Sequence, residues 1–288
     1  MIPEHYACQM AAWTPFDWAR VDIAVPPRSG RLPGVGMAGF RHHTPALMDL
    51  DMVAHPSVTL LFDLGESEAI VYDAQGRRER GSVVIGLAPG DLRASARGPG
   101  ECLQIRLGPI AAAAVLDAAS ELGGNLVSLI DFWGADAARI EERLRDTRSW
   151  DERFAIAAEV LKGRIVERPP VDAEVAHIWQ RTLAGRGRVR VEDLADEVGW
   201  SRKRLWSRFR AQLGISPKRA ARLVRFDHAA HRLAAGQAAA RVAAESGYAD
   251  QSHLHREAKA FTGLTPTAVA AAPWLAIDDV AWPIPPVP

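Results

Sequence analysis

The stretch Leu194–Pro217, LADEVGWSRKRLWSRFRAQLGISP, decides how the last third of the chain is read, because it returns as Val242–Pro266, VAAESGYADQSHLHREAKAFTGLTP. Leu194 matches Val242, Ala195 matches Ala243, Gly199 matches Gly247 and Trp200 matches Tyr248. After a one-residue insertion Leu205 matches Leu254, Gly214 matches Gly263, Ile215 matches Leu264 and Pro217 matches Pro266. Two copies are too few for a solenoid, which needs about three or more stacked repeats to bury a continuous core. Each copy reads instead as a helix, a glycine-centred turn and a second helix.

The helical faces separate into an inner and an outer set. In the first copy Val191–Val198 is a short helix with Leu194, Ala195 and Val198 on its apolar side, and Gly199 supplies the left-handed residue that ends it. Ser201 caps a second helix reaching about Leu213. On that helix Leu205, Phe209 and Gln212/Leu213 share one face, Lys203, Ser207 and Arg210 the opposite one, with Arg204 and Trp206 on the flanks. In the second copy Leu254, Ala258 and Phe261 face inward, Ser252, Arg256 and Lys259 outward, His255 lies on the flank and Gln251 near the helix start. A cationic helix face alone is an ordinary solvated face. Two copies, each with its own outward set, point to a surface for double-stranded DNA, because Arg and Lys reach guanine edges and phosphates and Gln pairs with adenine in the major groove. The candidate DNA-contacting residues are Ser201, Arg202, Lys203, Arg204, Trp206, Ser207 and Arg210, then Gln251, Ser252, His255, Arg256 and Lys259. Between the copies Pro217 to about Ala235 reads as one long helix, with Pro217 in its first turn and Gly236 past its end. At ~1.5 Å per residue it makes a rod of ~28 Å, near the ~34 Å between major-groove windows on one DNA face.

Residues from about Val189 to Val269 resemble the DNA-binding domain of the AraC family of bacterial transcription regulators. The carrying residues are Leu194-Ala195, Gly199-Trp200-Ser201, Leu205, Phe209, Gly214-Ile215-Ser216-Pro217, Arg225-Phe226, Ala229 and Leu233, then Val242-Ala243, Gly247-Tyr248, Gly263 and Thr265-Pro266. The resemblance implies seven helices, two of them entering the major groove. It places base-facing residues at Lys203, Trp206 and Ser207 in the first copy and at Gln251, Ser252, His255 and Arg256 in the second. The first copy is strongly basic and aromatic-packed, whereas the second has Ala258 at an inward position, so the first unit is expected to anchor binding and the second to tune it.

Charge is distributed to match. The chain of 288 residues has no formal net charge, with 35 Lys and Arg against 35 Asp and Glu. Yet Pro169–Ala270 holds 17 basic against 10 acidic residues, while Met1–Arg168 holds 18 against 23. A basic nucleic-acid-binding half joined to an acidic partner half accounts for the split. The division expected is 1–168 for a β-barrel sensor or dimerisation domain with helices at its end, 169–272 for the double helix-turn-helix domain, and 273–288 for an irregular, proline-rich tail.

The first half reads as β-rich and then helical, so the fold class is α+β, with an N-terminal antiparallel β-barrel and an all-α C-terminal domain. Val58–Leu64, Ala69–Tyr72, Ser82–Leu87 and Cys102–Leu107 are apolar or alternating runs. They are separated by the turn signals Gly65-Glu66, Gln75-Gly76, Pro89-Gly90 and Gly98-Pro99-Gly100. Gly34-Val35-Gly36 with Gly39 reads as a loop or bulge. Ala111–Leu122, Asp136–Thr147, Asp151–Val166 and Asp172–Leu183 have helical periodicity, and Ala111–Leu122 is a candidate dimer helix. In pattern, Arg106-Leu107-Gly108-Pro109, the alanine-rich helix after it and the segment Leu129–Gly134 resemble the cupin-like sensor domains attached to such regulators. Trp13, Phe16 and Trp18 around Pro15 read as barrel core or a lid, with a ligand-pocket wall as the alternative.

Other chemistries find little support. His42, His43 and His55 lack a supporting carboxylate or third histidine at strand spacing, and adjacent His42 and His43 point to opposite faces of a strand. No metal and no cofactor are expected. Cys8 and Cys102 have no metal-ligand spacing and read as reduced thiols. There is no nucleophile elbow and no phosphate-cradling glycine loop. The N-terminus lacks a signal-peptide pattern and no apolar run is long enough to span a bilayer, so a cytoplasmic protein is expected. The sequence thus reads as a DNA-binding regulator of promoter DNA, controlled by a small molecule in the first domain, with a homodimer expected and RNA polymerase a candidate partner. The alternatives are a ligand-independent DNA-binding protein whose first domain only dimerises, and a DNA-repair enzyme with an appended DNA-binding domain. Two cysteines cannot supply the four-thiolate zinc site that such alkyltransferases use.

Overall fold

The computed structural model describes residues 20–27, 32–45, 47–66, 69–87, 90–116, 119–165, 171–272, 275, 278 and 281–282. In chain order the first half contains β1 (Val21–Ala24), β2 (Val35–His42), β3 (Leu47–Met52), β4 (Val58–Asp63), β5 (Ile70–Asp73), β6 (Arg78–Arg80), β7 (Val83–Ile85), β8 (Leu92–Arg97) and β9 (Gly100–Leu107). Then come α1 (Pro109–Val115), α2 (Ala119–Leu122), β10 (Leu126–Ser128), α3 (Leu129–Trp133), α4 (Ala135–Asp146) and α5 (Trp150–Ile165). The second half is helical: α6 (Ala173–Ala184), α7 (Val191–Glu197), α8 (Arg202–Leu213), α9 (Pro217–Ala234), α10 (Ala239–Glu245), α11 (Gln251–Thr262) and α12 (Pro266–Ala270). The fold is therefore α+β; the stretch to which the resemblance applied contains the six helices α7–α12, and α6 precedes it.

The strands pair antiparallel in two sheets, ordered β1-β2-β9-β4-β7-β10 and β3-β8-β5-β6, so hydrogen bonding does not run round a closed barrel. The residues that close the core come from alternation. In β9 Leu103, Ile105 and Leu107 are buried while their neighbours Cys102, Gln104 and Arg106 are half-buried on the other face. The first face packs on helix α1, which in turn packs on α5; the second borders the space between the two sheets.

The glycine cluster expected as a loop or bulge is strand β2. Its glycines have a long-range cause. A Cβ on Gly39 would stand 2.3 Å from the Trp150 ring, and one on Gly36 would stand 2.9 Å from the Trp282 ring. The strand is bare where two indoles lie against it, a use of strand glycine that no local pattern announces. The helix expected at Ala111–Leu122 is likewise two short helices: Leu116, at the end of α1, is extended at φ −103, ψ 126. Within the chain α1 packs on α5 and α8, and α2 packs on α8. The segment after α12, expected to be irregular, is helical at Leu275, Asp278 and Ala281. The domain boundary at 168/169, Cys8 and the aromatics Trp13, Phe16 and Trp18 lie outside the described residues, as does the tail beyond Trp282.

Candidate nucleic-acid interface

The two copies of the repeat share their capping chemistry. Ser201 Oγ accepts the Arg204 backbone N–H at 3.2 Å to start α8, and Asp250 Oδ1 accepts that of His253 at 2.6 Å to start α11. Gly214 and Gly263 end these helices in the left-handed conformation, at φ 76 and φ 70. The Ser216-Pro217 and Thr265-Pro266 pairs then start the next helices: Ser216 Oγ accepts from Arg219 N–H at 3.3 Å, Thr265 Oγ1 from Ala268 N–H at 3.2 Å, and each proline takes the first turn. Each such cap is worth ~1 kcal/mol.

Packing fixes which faces turn outward. Leu205, Phe209 and Leu213 of α8 and Leu254, Ala258 and Phe261 of α11 are buried against α9 and the short helices. All twelve candidate DNA-contacting residues are exposed: Ser201, Arg202, Lys203, Arg204, Trp206, Ser207 and Arg210 about α8, and Gln251, Ser252, His255, Arg256 and Lys259 on α11. Trp206 is 50% exposed, uncommon for an indole, with the Arg210 guanidinium 5.2 Å from its ring centroid. Arg204 stacks on Trp200 at 4.7 Å, and Arg202 reaches Glu192 at 3.5 Å. Among the described residues neither Lys203, Arg256 nor Lys259 has an ion-pair partner. Arg208, which sequence reasoning left out, is exposed but paired, its Nη2 2.6 Å from Asp172 Oδ2.

One residue at the base of this surface escaped sequence reading. Glu257 lies between outward Arg256 and inward Ala258, and it is 1% exposed. Its carboxylate accepts from Arg222 Nε at 2.8 Å and from Arg225 Nη2 at 3.0 Å, both from α9. Phe226 of α9 stacks on Phe261 of α11 at 5.3 Å. These contacts hold α11 on α9 where Ala258 offers only a methyl group.

A second polar centre lies where the β-rich module meets α9. His55, in the β3–β4 connection, has Nδ1 3.0 Å from Asp227 Oδ1 of α9, and its Nε2 is 3.7 Å from Asp278 Oδ2. Arg106 Nη2 of β9 donates to Asp278 Oδ1 at 3.2 Å, and His231 Nε2 of α9 lies 3.0 Å from Asp278 Oδ2. Burial alone would lower the His231 pKa, but the Asp278 hydrogen bond and the Asp227 charge raise it to about 9. Burial would raise that of Asp278, yet His231, His55 and Arg106 hold it well below the usual carboxylate range. A cavity of about 190 Å³ between the two sheets reaches this centre. Its walls are largely apolar, with Met48, Leu50, Leu61, Val71 and Leu92 among them, and Arg106, His55 and Asp278 at one end. A wider cavity of about 640 Å³ lies between the β-rich module and α9 and shares those residues.

The His231 pairing carries a pH dependence with a definite sign. Its folded-state value of about 9 lies above the ordinary 6.5, so the pairing stabilises fully below pH 6.5 and is lost as pH rises through 9. Denaturant midpoints of the wild type should fall across that window, and His231→Gln should lack that part of the fall. The difference isolates His231 from His228 and His42, whose values burial pushes down. Parallel wild-type and variant curves from pH 6.5 to 9 would remove the assignment.

The arrangement is that of a double helix-turn-helix DNA-binding domain: two turn-separated helix pairs on one connecting helix, with the second helix of each pair turned outward. Residues 194–272 match the family model described as a helix-turn-helix domain. The chain is thereby a DNA-binding transcription regulator. No curated protein matches it. Among solved structures, ToxT from Vibrio cholerae O395 is 10% identical with a TM-score of 0.47, over 88% of this chain and 100% of that one. The AraC-like transcriptional activator CuxR is 14% identical with a TM-score of 0.28, over 83% of this chain and 91% of that one. The C-terminal domain of AraT, a response regulator from Geobacillus stearothermophilus, is 20% identical with a TM-score of 0.33, over 35% of this chain and 86% of that one. None reaches a TM-score of 0.5, and the functional reading rests on the helix-turn-helix domain. No helix among the described residues is long and apolar enough to cross a membrane.

Proposed function

We propose that this regulator reads promoter DNA through the outward faces of α8 and α11 together, in successive major grooves, and that a small molecule in the cavity between the two sheets controls it. The observation that carries the first part is the pairing of exposure with capping: two helices start and end in the same way on a common rod, and each turns an exposed cationic face away from it. At ~1.5 Å per residue the 18 residues of α9 make a rod of ~27 Å. Phosphate contacts from Arg202, Arg204, Arg210 and Lys259 supply affinity, and Lys203, Trp206, Ser207, Gln251, Ser252, His255 and Arg256 supply base reading. Ser201 contributes through its cap, which fixes the first turn of α8.

The cavity favours a sensor over a module that only dimerises. Its volume of about 190 Å³ exceeds the ~150 Å³ that admits benzene in an engineered apolar cavity, and polar groups, among them Arg106, His55, Gln104 and Glu101, interrupt its apolar lining. The effector class it suits is compact and mainly apolar, with polar groups to meet those in the lining. The protein is read as a binder acting on cytoplasmic DNA, not as an enzyme. Selection of bound sequences from a random duplex pool tests the DNA reading. Lys203→Ala is expected to relax preference at positions in one half of the site and Arg256→Ala in the other, each by about 1–3 kcal/mol at the affected base pair. Unchanged preferences in both variants would remove these residues from the reading surface.

A further inference from the structure

The stretch Gly185–Arg190, GRGRVR, joins α6 to α7, and its alternation sorts the residues by what they face. A Cβ on Gly185 would stand 2.2 Å from Val189 Cγ2, and one on Gly187 would stand 2.1 Å from the Ala221 carbonyl oxygen and 2.7 Å from the Arg225 backbone nitrogen. The turn therefore lies directly on the backbone of α9, where only glycine fits. Its shape is fixed by hydrogen bonds from the Gly187 N–H to the Thr182 carbonyl at 2.9 Å and from the Arg188 N–H to the Gly185 carbonyl at 3.0 Å. Arg186 and Arg188 are exposed, and among the described residues neither has an ion-pair partner. Arg190, by contrast, lies 3.8 Å from Glu192. Among the described residues Arg186 is also the one non-glycine with a positive φ, 51. That conformation is unfavourable for an L side chain and free for glycine, so an arginine kept there points to a use for its side chain. The stem of Arg188 runs along the second copy of the repeat: its Cγ and Cδ lie 3.2 Å from where a Gly247 Cβ would stand, over the turn between α10 and α11. Both arginines face His228 of α9, whose pKa is pushed down by burial first, then by Arg186 and Arg232, with Asp227 opposing and Arg188 adding. Arg232 is balanced by Glu245; Arg186 and Arg188 have no such counter-charge beside them.

We propose that Arg186 and Arg188 form a binding site for DNA backbone phosphate at the edge of the groove that α11 enters. The inference rests on the reading that α8 and α11 bind DNA, and it adds a contact from outside the repeat. In a helix-turn-helix the first helix crosses the DNA backbone and the second enters the groove by its N-terminal residues. The turn between them thus lies at the groove edge, beside phosphates, and in the second copy Arg188 lies against that turn. A guanidinium presents a planar fork of donors that matches a phosphate. Phosphate contacts set register and orientation and carry no sequence information of their own. The pair therefore orients the second unit on the duplex, while base reading stays with α11. The glycines on either side of Arg186 hold the turn against α9, so the two guanidinium groups are presented from a fixed base.

A salt series with the full chain and a selected duplex tests the site. Four phosphate contacts from α8 and α11 give a slope of about −3.6 in log K against log salt, and two more steepen it to about −5.4. The double variant Arg186→Gly/Arg188→Gln should return to about −3.6. It should also bind roughly sixtyfold more weakly at about 0.1 M salt, the factor that a slope difference of about 1.8 gives over one decade below ~1 M. The loss should be the same on selected and random duplexes. Arg186→Gly alone should reduce the slope by about 0.9 while its urea midpoint stays level or rises, because glycine takes the left-handed conformation freely. Binding and stability that move apart in this way are not the mark of a merely structural residue. Should Arg188→Gln disturb the turn, Arg186→Gly decides. Lys259→Ala is measured beside them. If it reduces the slope by about 1 while Arg186→Gly and Arg188→Gln leave the slope unchanged, the two arginines are a solvated face and the phosphate site is overturned, with the DNA reading intact. A flat wild-type slope overturns both.

Discussion

Glu257→Ala should cost about 3–5 kcal/mol of stability, the range for removing one partner of a buried ion pair. Glu257 is 1% exposed, whereas Arg225 is 15% and Arg222 42% exposed. Arg222 can turn to water when its partner is lost. Arg225 cannot do so as readily, since its guanidinium lies 4.6 Å from the Tyr248 ring centroid beneath α11. An uncompensated charge is then left inside the second unit. The loss should appear as a lower urea midpoint in the full chain, and binding to the half of the site read by α11 should weaken first. Glu257→Gln, which keeps an acceptor for one arginine, should lose less. A change below about 0.5 kcal/mol in Glu257→Ala, the scale of an ordinary surface substitution, would show that the Arg222–Glu257–Arg225 cluster does not hold α11.

DNA affinity should fall steeply with salt. Each phosphate neutralised releases counterions and contributes about −0.9 to the slope of log K against log salt. The outward set offers six side chains of fixed positive charge: Arg202, Lys203, Arg204, Arg210, Arg256 and Lys259. With Arg202, Arg204, Arg210 and Lys259 alone on phosphates, the slope is about −3.6, and affinity drops roughly 150-fold between about 50 and 200 mM salt. Lys259→Ala should weaken all sequences alike and reduce the slope by about 1. Arg208→Ala should leave the slope unchanged, since that guanidinium is spent on Asp172. Fluorescence anisotropy across a salt series separates these cases, and a flat dependence in the wild type would contradict an electrostatic interface on α8 and α11.

Sequence reading found the helix-turn-helix units because their determinants are local. Glycine at the turn, a short polar cap and a Ser/Thr-Pro pair at the next helix act within a few residues of one another, and they recur at Gly199, Ser201, Ser216-Pro217, Gly247 and Thr265-Pro266. What it missed had distant causes. Strand β2 reads as a loop until Trp150 and Trp282 are known to lie on Gly39 and Gly36, more than a hundred residues away in sequence. Glu257 sits between the faces of an idealised wheel, and only α9 shows where its carboxylate goes. The cluster of His55, Arg106, Asp227, His231 and Asp278 draws on four separate segments, so no spacing rule could assemble it. Ala258 read as a weak point of the second unit; the structure buries it fully and adds the Glu257 ion pairs and the Phe226–Phe261 stack beside it. We still propose that the first unit anchors binding, on the ground of its larger outward charge and Trp206.

The most direct test of the account is hydroxyl-radical footprinting of the full chain on a selected duplex. A single chain using both α8 and α11 should protect two windows one helical turn apart, ~34 Å along one face of the DNA. Lys203→Ala should fade one window and Arg256→Ala the other. A single protected window, or two windows that fade together with either substitution, would contradict the claim that the two copies read DNA as separate units.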